Sequence, residues 1–250
     1  WLRGAKGYIR WTRLFTQKQK PAAKVAIICS ELGMFGNMTR RLATGLSLAS
    51  HEGFGAIIVP RAVIFQGDIF TQGVYHRKST PTIFFGHEPR ARTNPIELLL
   101  QTDLLTDRGL ENFVAISHID QAWETLHELA PQLREVGSKG ENYLMIHLRG
   151  GDVFGARKPR AYGQPPLSYY DVVLSDQRWD GVTIVHQDLL NPVLPGLIEL
   201  CRQKGLTVRT VSGLLSDDIR CLLQASTLVA GRGTFVPAVA GLSRRCRRVY

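Results

Sequence analysis

Residues 24–59 read KVAIICSELGMFGNMTRRLATGLSLASHEGFGAIIV, and this stretch decides the fold class. Residues 24–29 are a continuous apolar run, which is typical of a strand buried on both faces of a parallel sheet. A glycine-bearing turn follows, and apolar side chains then recur at helical spacing over residues 37–51. Residues 54–59 form the next apolar run. Strand, helix and strand in this order predict a βαβ unit of an α/β protein.

The C-terminal half shows the same alternation more clearly. Apolar runs predict strands, and helical spacing predicts helices; the strands fall at 143–147, 182–186, 206–211 and 227–230, and the helices at 193–204, 216–225 and 235–242. Between the halves, residues 60–95 predict loops with short strands, residues 118–136 a long amphipathic helix, and residues 137–141 (GSKGE) a domain boundary. The sequence therefore predicts two facing Rossmann-like domains, residues 21–140 and 141–250, after a basic tail over residues 1–20.

The net charge of +10 is confined to the ends of this 250-residue chain. Residues 1–20 carry six basic side chains and no acidic one, and residues 244–248 carry four arginines. The rest of the chain is balanced, with 21 basic and 21 acidic residues. The N-terminal tail also holds Trp1, Tyr8 and Trp11, so it could contact an anionic membrane surface, and the alternative is a solvated tail.

The cysteines and the apolar runs indicate a cytoplasmic location. Four cysteines occur without a C-x-x-C pair, which disfavours a zinc site and predicts reduced thiols. No apolar run is long enough to span a bilayer, so we expect a cytoplasmic protein that could lie at the inner membrane surface. The sequence begins at Trp1 rather than Met, and the lumen of the Golgi or ER is the alternative if an N-terminal anchor was removed.

The most informative motif is HLRGGD at residues 147–152. An apolar strand delivers His147 and Arg149 to its carboxyl end, where ligands of such sheets bind. The planar guanidinium of Arg149 suits a diphosphate, and the two glycines that follow allow backbone N–H groups to approach an anion. The alternative is an ion pair between Arg149 and Asp152 that braces a turn.

Two further motifs follow other predicted strands. Residues 33–38 (GMFGNM) open a helix, where Asn37 could cap the helix or bind a phosphate, although G-x-G-x-x-G and P-loop spacings are missing. Residues 231–235 (GRGTF) form another turn before a helix and could cradle a phosphate. Asp217 and Asp218 lie upstream of the turn at residues 231–235. Either of them could simply cap the helix that follows it.

These motifs together resemble the fucosyltransferase superfamily, which contains GDP-fucose-dependent α-1,2- and α-1,6-fucosyltransferases and protein O-fucosyltransferases. HLRGGD is similar to the family's H-x-R-x-G/T-D signature, and Phe35-Gly36-Asn37 to its F-G-N turn. The segment 218–226 (DIRCLLQAS) resembles D-I-x-x-L-x-Q-A-D, Gly233-Thr234-Phe235 resembles S-T-F, and residues 166–170 (PLSYY) and 185–188 (VHQD) match further elements in order. The chain departs from the pattern at Met38, Gln187 and Gly233, and residues 60–140 carry no match.

The resemblance implies a GT-B glycosyltransferase that moves L-fucose with inversion from GDP-fucose to a glycan hydroxyl. Arg149 would stabilise the leaving diphosphate, Asp218 would read guanine, and Asp152 or Glu31 would be the catalytic base. The other residues implied in donor binding are Gly36, Asn37, His147, Asp188, Gly233, Thr234 and Phe235. No metal or other cofactor is expected, because the sequence has no D-x-D triplet and no clustered metal ligands.

Three other functions stay open at the level of sequence. The same fold could use a different nucleotide sugar, or it could retain a binding cleft without turnover. A basic binding protein for nucleic acid or an anionic polymer would use the N-terminal tail and Arg244–Arg248. No recognised nucleic-acid motif supports that last alternative, so the expected partners are a nucleotide sugar and a glycan acceptor.

Overall fold

The protein is a mixed α/β chain with two five-stranded sheets, as the computed structural model shows. The structure describes residues 25–29, 35–59, 69–70, 73–76, 81–85, 96–99, 114–133, 137, 139–154 and 163–250. The predicted α/β class is therefore confirmed. The first twenty residues, which form the predicted basic tail, lie outside the described part of the chain.

The first sheet is built around the predicted βαβ unit. Its elements are β1 (Val25–Cys29), α1 (Phe35–His51), β2 (Ala56–Val59), β3 (Gly73–Tyr75), β4 (Thr82–Phe85) and β5 (Ile96–Leu99). The strand order is β3-β4-β2-β1-β5, and among these strands β3 alone runs antiparallel to its neighbour. The short strands expected within 60–95 are β3 and β4, whereas the sequence did not predict β5.

The helix predicted over residues 118–136 is shorter than expected. It is α2 (Ile116–Leu129), and a 3₁₀ turn over Pro131–Leu133 follows it. Pro131 cannot donate an amide hydrogen bond to a continuing helix and disfavours helical backbone at the residue before it, which accounts for the early end.

The second sheet is entirely parallel, and its order is β10-β9-β6-β7-β8. Its elements are β6 (Tyr143–Leu148), α3 (Leu167–Asp176), β7 (Gly181–His186), α4 (Leu194–Gln203), β8 (Val208–Val211), α5 (Leu215–Leu222), β9 (Thr227–Val229), α6 (Phe235–Leu242) and β10 (Arg248–Val249). Every residue of β7 is buried, as expected for a strand covered on both faces. The predicted strands and helices of this half are all present, and α3 and β10 are additional.

The strand order of the second sheet has a reversal at β6. The chain passes outward from β6 to β7 and β8, and then returns to β9 on the other side of β6. The loops that leave β6 and β9 therefore run in different directions. Such a switch point at the carboxyl edge is the place where open α/β sheets bind ligands.

The chain divides into two compact units. Among the described residues, one unit holds β1 to β5 with residues 41–59 and 114–122, and the other holds residues 35–40, 69–70 and everything from Trp123 onward. The first turn of α1 thus belongs with the C-terminal unit. The domain boundary near residue 140 stays a prediction, because a compact unit is not thereby shown to fold independently.

Within the described ranges, every helix is too short or too polar to cross a lipid bilayer.

Candidate functional site

The residues that leave β6 form the centre of the candidate site. His147 and Arg149 are partly buried, while Ile146 and Leu148 beside them are fully buried in the core. Asn191 Nδ2 donates a 2.8 Å hydrogen bond to the backbone oxygen of Arg149. The strand and this hydrogen bond therefore anchor the backbone that carries the two polar side chains.

A tight turn follows Arg149 and is fastened to the end of β7. Gly151 has a φ of 63°, which favours glycine, and its N–H donates a 2.5 Å hydrogen bond to Asp188 Oδ2. Asp188 Oδ1 accepts from the N–H of Leu190 at 2.8 Å. A side chain at Gly150 would collide with the Asp188 carboxylate. Asp188 thus holds the turn in place. Its predicted contact with the nucleotide-sugar donor stays a prediction.

The start of α1 packs directly on the turn between β9 and α6. Thr234 Oγ1 donates a 2.5 Å hydrogen bond to Asn37 Oδ1, although 197 positions separate the two residues. The Phe35 and Phe235 rings lie 5.9 Å apart at a steep angle. Asn37 is the third residue of α1 rather than its cap, since the helix begins at Phe35. The two motifs that resemble F-G-N and S-T-F are therefore in contact within one compact unit.

Gly36 makes this contact possible. A methyl group added at Gly36 would lie 2.6 Å from the backbone N of Phe235 and 2.7 Å from the carbonyl oxygen of Thr234. Alanine inside a helix ordinarily stabilises a protein relative to glycine by about 0.5–1 kcal/mol. Here the collision is with backbone atoms, which cannot rotate away.

We expect Gly36→Ala to lower the free energy of unfolding by about 1–3 kcal/mol, the usual cost of overpacking. Urea unfolding of the purified protein measures this change. Gly137→Ala is the matched control, because a methyl group there meets no atom within 4 Å. A Gly36→Ala protein as stable as the wild type would show that the two turns do not pack as described.

His147 lies against the ring of Phe235, with centroids 4.5 Å apart. Burial, and secondly the nearby charge of Arg149, lower the pKa of His147 to about 3. The imidazole is therefore neutral at pH 7, and it can offer a hydrogen bond but no charge.

A small pocket opens at the switch point between β6 and β9. His147, Arg149, Gly231, Arg232 and Gly233 are among its lining residues, and its volume is about 20 Å³. Arginine side chains and the backbone of a glycine-rich turn are groups that bind anions, and the pocket they line has room for about one water molecule.

Asp218 lies farther along the same edge, after β8. The N-cap of α5 is Leu214, and Asp218 is the fourth residue of the helix, so the helix-cap interpretation is wrong for Asp218. The residue is buried to 8% exposure, and its Oδ1 atom has no hydrogen-bond partner among the described residues. Burial raises the pKa of Asp218 to about 6; the charge of Asp217 adds to this, and a hydrogen bond from the Gly213 backbone opposes it. A buried carboxylate oxygen of this kind can accept a hydrogen bond from a water or a ligand.

Contacts between loops link these groups along the carboxyl edge. Ser212 Oγ, after β8, donates a 3.3 Å hydrogen bond to the backbone oxygen of Gln187, after β7. A methyl group at Gly151 would in turn lie 2.8 Å from Gln187 Nε2. The loops that follow β6, β7 and β8 are thus in mutual contact, and they lead from Arg149 toward Asp218.

A buried polar network behind Arg149 was not predicted from the sequence. Asn191 is 1% exposed and bonds to Gln164 Oε1 at 2.9 Å, and Gln164 Nε2 bonds to the Tyr170 hydroxyl at 2.7 Å. Burial raises the pKa of Tyr170. The signal available in the sequence was the pair of turn segments at Gln164-Pro165-Pro166 and Asn191-Pro192.

The aromatic residues near the site have mainly a packing role. Position in the sequence would allow Tyr170 to stack on a base or sugar, but the side chain is fully buried in the core and cannot reach a ligand. Trp179 is a buried packing residue, and its indole N–H donates to the backbone oxygen of Val173 at 3.2 Å.

The side chains of both candidates for the catalytic base lie outside what the structure describes. Glu31 falls in an undescribed segment, and for Asp152 only the backbone is described, in the 3₁₀ turn Gly151–Val153. The choice between them, and the alternative ion pair of Arg149 with Asp152, stay predictions.

The C-terminal arginines are engaged with the rest of the fold. Arg247 pairs with Glu141 at 2.9 Å, Arg248 pairs with Asp176 at 3.2 Å, and Arg245 donates to the backbone oxygen of Gly137 at 2.6 Å. Arg248 also belongs to edge strand β10. These contacts give the arginines a role in fixing the last strand, and they add no support for a nucleic-acid site.

Comparison of the chain with known protein families finds no matching family, and comparison with curated proteins finds no match either.

Proposed function

We propose that the chain is an inverting glycosyltransferase of the GT-B type, with two facing Rossmann-like domains, that transfers L-fucose from GDP-fucose to a glycan hydroxyl. The observation that carries the proposal is the convergence of three motifs distant in sequence. Asn37, Arg149 and Thr234 belong to one compact unit, where His147 and Phe235 join the β6 segment to the other two. The donor class comes from the resemblance of those motifs to the fucosyltransferases.

Arg149 would bind the diphosphate of the donor. In the reaction, the bond between sugar C1 and the β-phosphate oxygen breaks while the acceptor oxygen attacks C1 from the opposite face. Negative charge grows on the departing diphosphate, and a guanidinium fixed beside it stabilises that charge more than it stabilises the ground state. The network from Asn191 to Gln164 would position the Arg149 backbone for this task.

Asp218 would recognise the guanine base. Its buried Oδ1 lacks a donor in the described part of the chain, and guanine presents N1–H and N2–H₂ side by side. Adenine presents an acceptor at N1, and uracil offers a single N–H donor on the corresponding edge. The carboxylate would therefore favour GDP over ADP and UDP.

A general base would remove the proton from the acceptor hydroxyl. Asp152 is the first candidate, because it follows Arg149 in the turn, and Glu31 is the second, because it follows β1. Exchanging each for its amide in a transfer assay would distinguish them. The correct one should lose most of kcat while the affinity for GDP is kept.

We expect sugar transfer to survive excess EDTA, because the sequence offers Arg149 rather than a D-x-D triplet to stabilise the diphosphate. The assay supplies GDP-fucose, GDP-mannose, UDP-galactose and UDP-glucose in turn with a mixed glycan acceptor, and measures release of the nucleotide. Fucose transfer that EDTA leaves unchanged supports the proposal. Activity that EDTA abolishes and Mn²⁺ restores would contradict metal-independent transfer, and activity with a UDP-sugar alone would assign another donor.

A further inference from the structure

A second cavity lies between α5 and a face of the C-terminal sheet, away from the pocket at the switch point. Its volume is about 240 Å³. Three cationic side chains and one carboxylate line it, together with a hydroxyl and an amide: Lys139, Arg209, Arg220, Asp217, Thr183 and Gln224. Among the residues that the structure describes, neither Arg149 nor Asp218 is part of its lining.

The sheet and the helix hold these groups in place. Thr183 on β7 is paired with Arg209 on β8, so their side chains share one face of the sheet. Thr183 is buried, and its hydroxyl lies 3.2 Å from the hydroxyl of Tyr143. Lys139 is fixed at the end of α5 by a 3.1 Å hydrogen bond from its N–H to the backbone oxygen of Gln224. The floor and one wall of the cavity are therefore formed by ordered secondary structure.

Three of the four charged side chains in the described lining of the cavity are cationic. Arg220 pairs with Asp217 at 3.6 Å, and within the described lining the guanidinium of Arg209 and the ammonium of Lys139 add two further positive charges. The Lys139 Nζ atom lies 5.2 Å from the centre of the Tyr143 ring. A doubly charged anion placed among these cationic side chains would be attracted to each of them.

We propose that this cavity binds a phosphate or sulfate group, at a site separate from the nucleotide. Two arginine forks and a lysine match the oxygens of such a group, and the Thr183 hydroxyl and Gln224 amide can supply further hydrogen bonds. The group could be a free inorganic ion or an ester on a sugar. The inference does not depend on the proposed glycosyltransferase activity.

Calorimetry at constant ionic strength tests the site, because added salt alone screens charges without saturating. Inorganic phosphate, inorganic sulfate, glucose 6-phosphate and glucose 6-sulfate are titrated in turn into the free protein. Saturable binding is expected, and tighter binding of the esters than of the ions would identify an esterified sugar as the ligand.

Substitutions in the lining should weaken this binding. Arg209→Gln and Lys139→Gln should each raise Kd about tenfold or more, as expected for loss of a charge-assisted contact. Arg244→Gln, an exposed arginine elsewhere, is the matched control and should leave Kd unchanged. Titrations without saturation, or an equal effect of Arg244→Gln, would overturn the site.

Cys221 provides an independent readout, because its side chain lines the cavity. Cys246 is a matched thiol, since both residues are partly buried and burial raises the pKa of each. Phosphate should slow alkylation of Cys221 by iodoacetamide and not that of Cys246, as peptide mass spectrometry would show. Equal rates with and without phosphate would contradict the assignment. The protection should persist with saturating GDP, and loss of protection on addition of GDP would place the cavity within the nucleotide site instead.

Discussion

Replacing Arg149 by lysine is expected to reduce kcat/KM for sugar transfer by about ten- to a hundredfold, equivalent to the roughly 1.5–3 kcal/mol of a charge-assisted hydrogen bond. Lysine keeps the charge but replaces a planar fork with a single ammonium group, so two parallel bonds to the diphosphate become one. His147 cannot compensate, because its lowered pKa leaves the imidazole neutral at the pH of the assay.

The control for Arg149→Lys is Arg244→Lys, at an exposed position of the C-terminal segment. Both proteins should melt at nearly the wild-type temperature, so that a loss of rate reports on the site and not on folding. Wild-type kinetics of Arg149→Lys with every donor tested would show that this side chain does not stabilise the leaving group.

Asp218→Asn is expected to stabilise the free protein and to weaken GDP binding. The folded protein raises the pKa of this carboxyl from 3.8 to about 6, so folding favours the protonated form. The stability that protonation gives is complete below pH 3.8 and is lost as the pH rises through about 6. At neutral pH the ionised carboxylate therefore destabilises the fold, by an amount of about 1–3 kcal/mol.

Asparagine keeps an oxygen for the Gly213 N–H and carries no charge, so it should restore about that much of the free energy of unfolding. The difference in the free energy of unfolding between variant and wild type should appear as the pH rises from about 4 to about 6. Chemical denaturation at several pH values would measure it. GDP affinity should fall about ten- to a hundredfold at the same time, because a charge-assisted pair is lost.

Asp217→Asn is the matched control for Asp218→Asn. Asp217 is exposed, lies in the same turn of α5 and pairs with Arg220, and its replacement should leave GDP binding unchanged. Because the charge of Asp217 contributes to the raised pKa of Asp218, the replacement should reduce the dependence of stability on pH without removing it. If Asp218→Asn left both the GDP affinity and the stability unchanged, Asp218 would be an ordinary helix residue. If it lowered stability, the carboxylate would have a structural partner.

The parts of the fold that could be predicted from the sequence are those with long apolar runs or clear helical spacing. The unit from β1 to β2 and the strands β6 to β9 have this character. β10 is two residues long and is held by backbone pairing with β9, and nothing in an arginine-rich segment indicates this. α3 carries exposed Val172 and Leu167 beside buried apolar residues, so its helical pattern is weak.

The sequence indicates which site residues lie at the end of each strand. It does not indicate the contacts between site residues that are distant in the sequence. Local spacing indicates that Arg149 leaves a strand, but no local rule indicates that Thr234 meets Asn37 or that Asn191 bonds to Arg149. Such pairs depend on the order of strands in the sheet, which periodicity does not determine. The close approach of Gly36 to the backbone of Phe235 likewise joins two residues that are far apart in the sequence.

The most direct test of the central claim is calorimetric titration of the wild-type protein with GDP, UDP and ADP in the absence of metal. The claim is that the carboxyl edge of the C-terminal sheet is a site for a guanosine diphosphate sugar, with Arg149 on the diphosphate and Asp218 on the base. It predicts saturable binding of GDP with one site per chain, and binding of UDP and ADP weaker by about tenfold or more, the loss expected for one charge-assisted hydrogen bond. Equal affinities for the three nucleotides, or no binding of GDP, would contradict it.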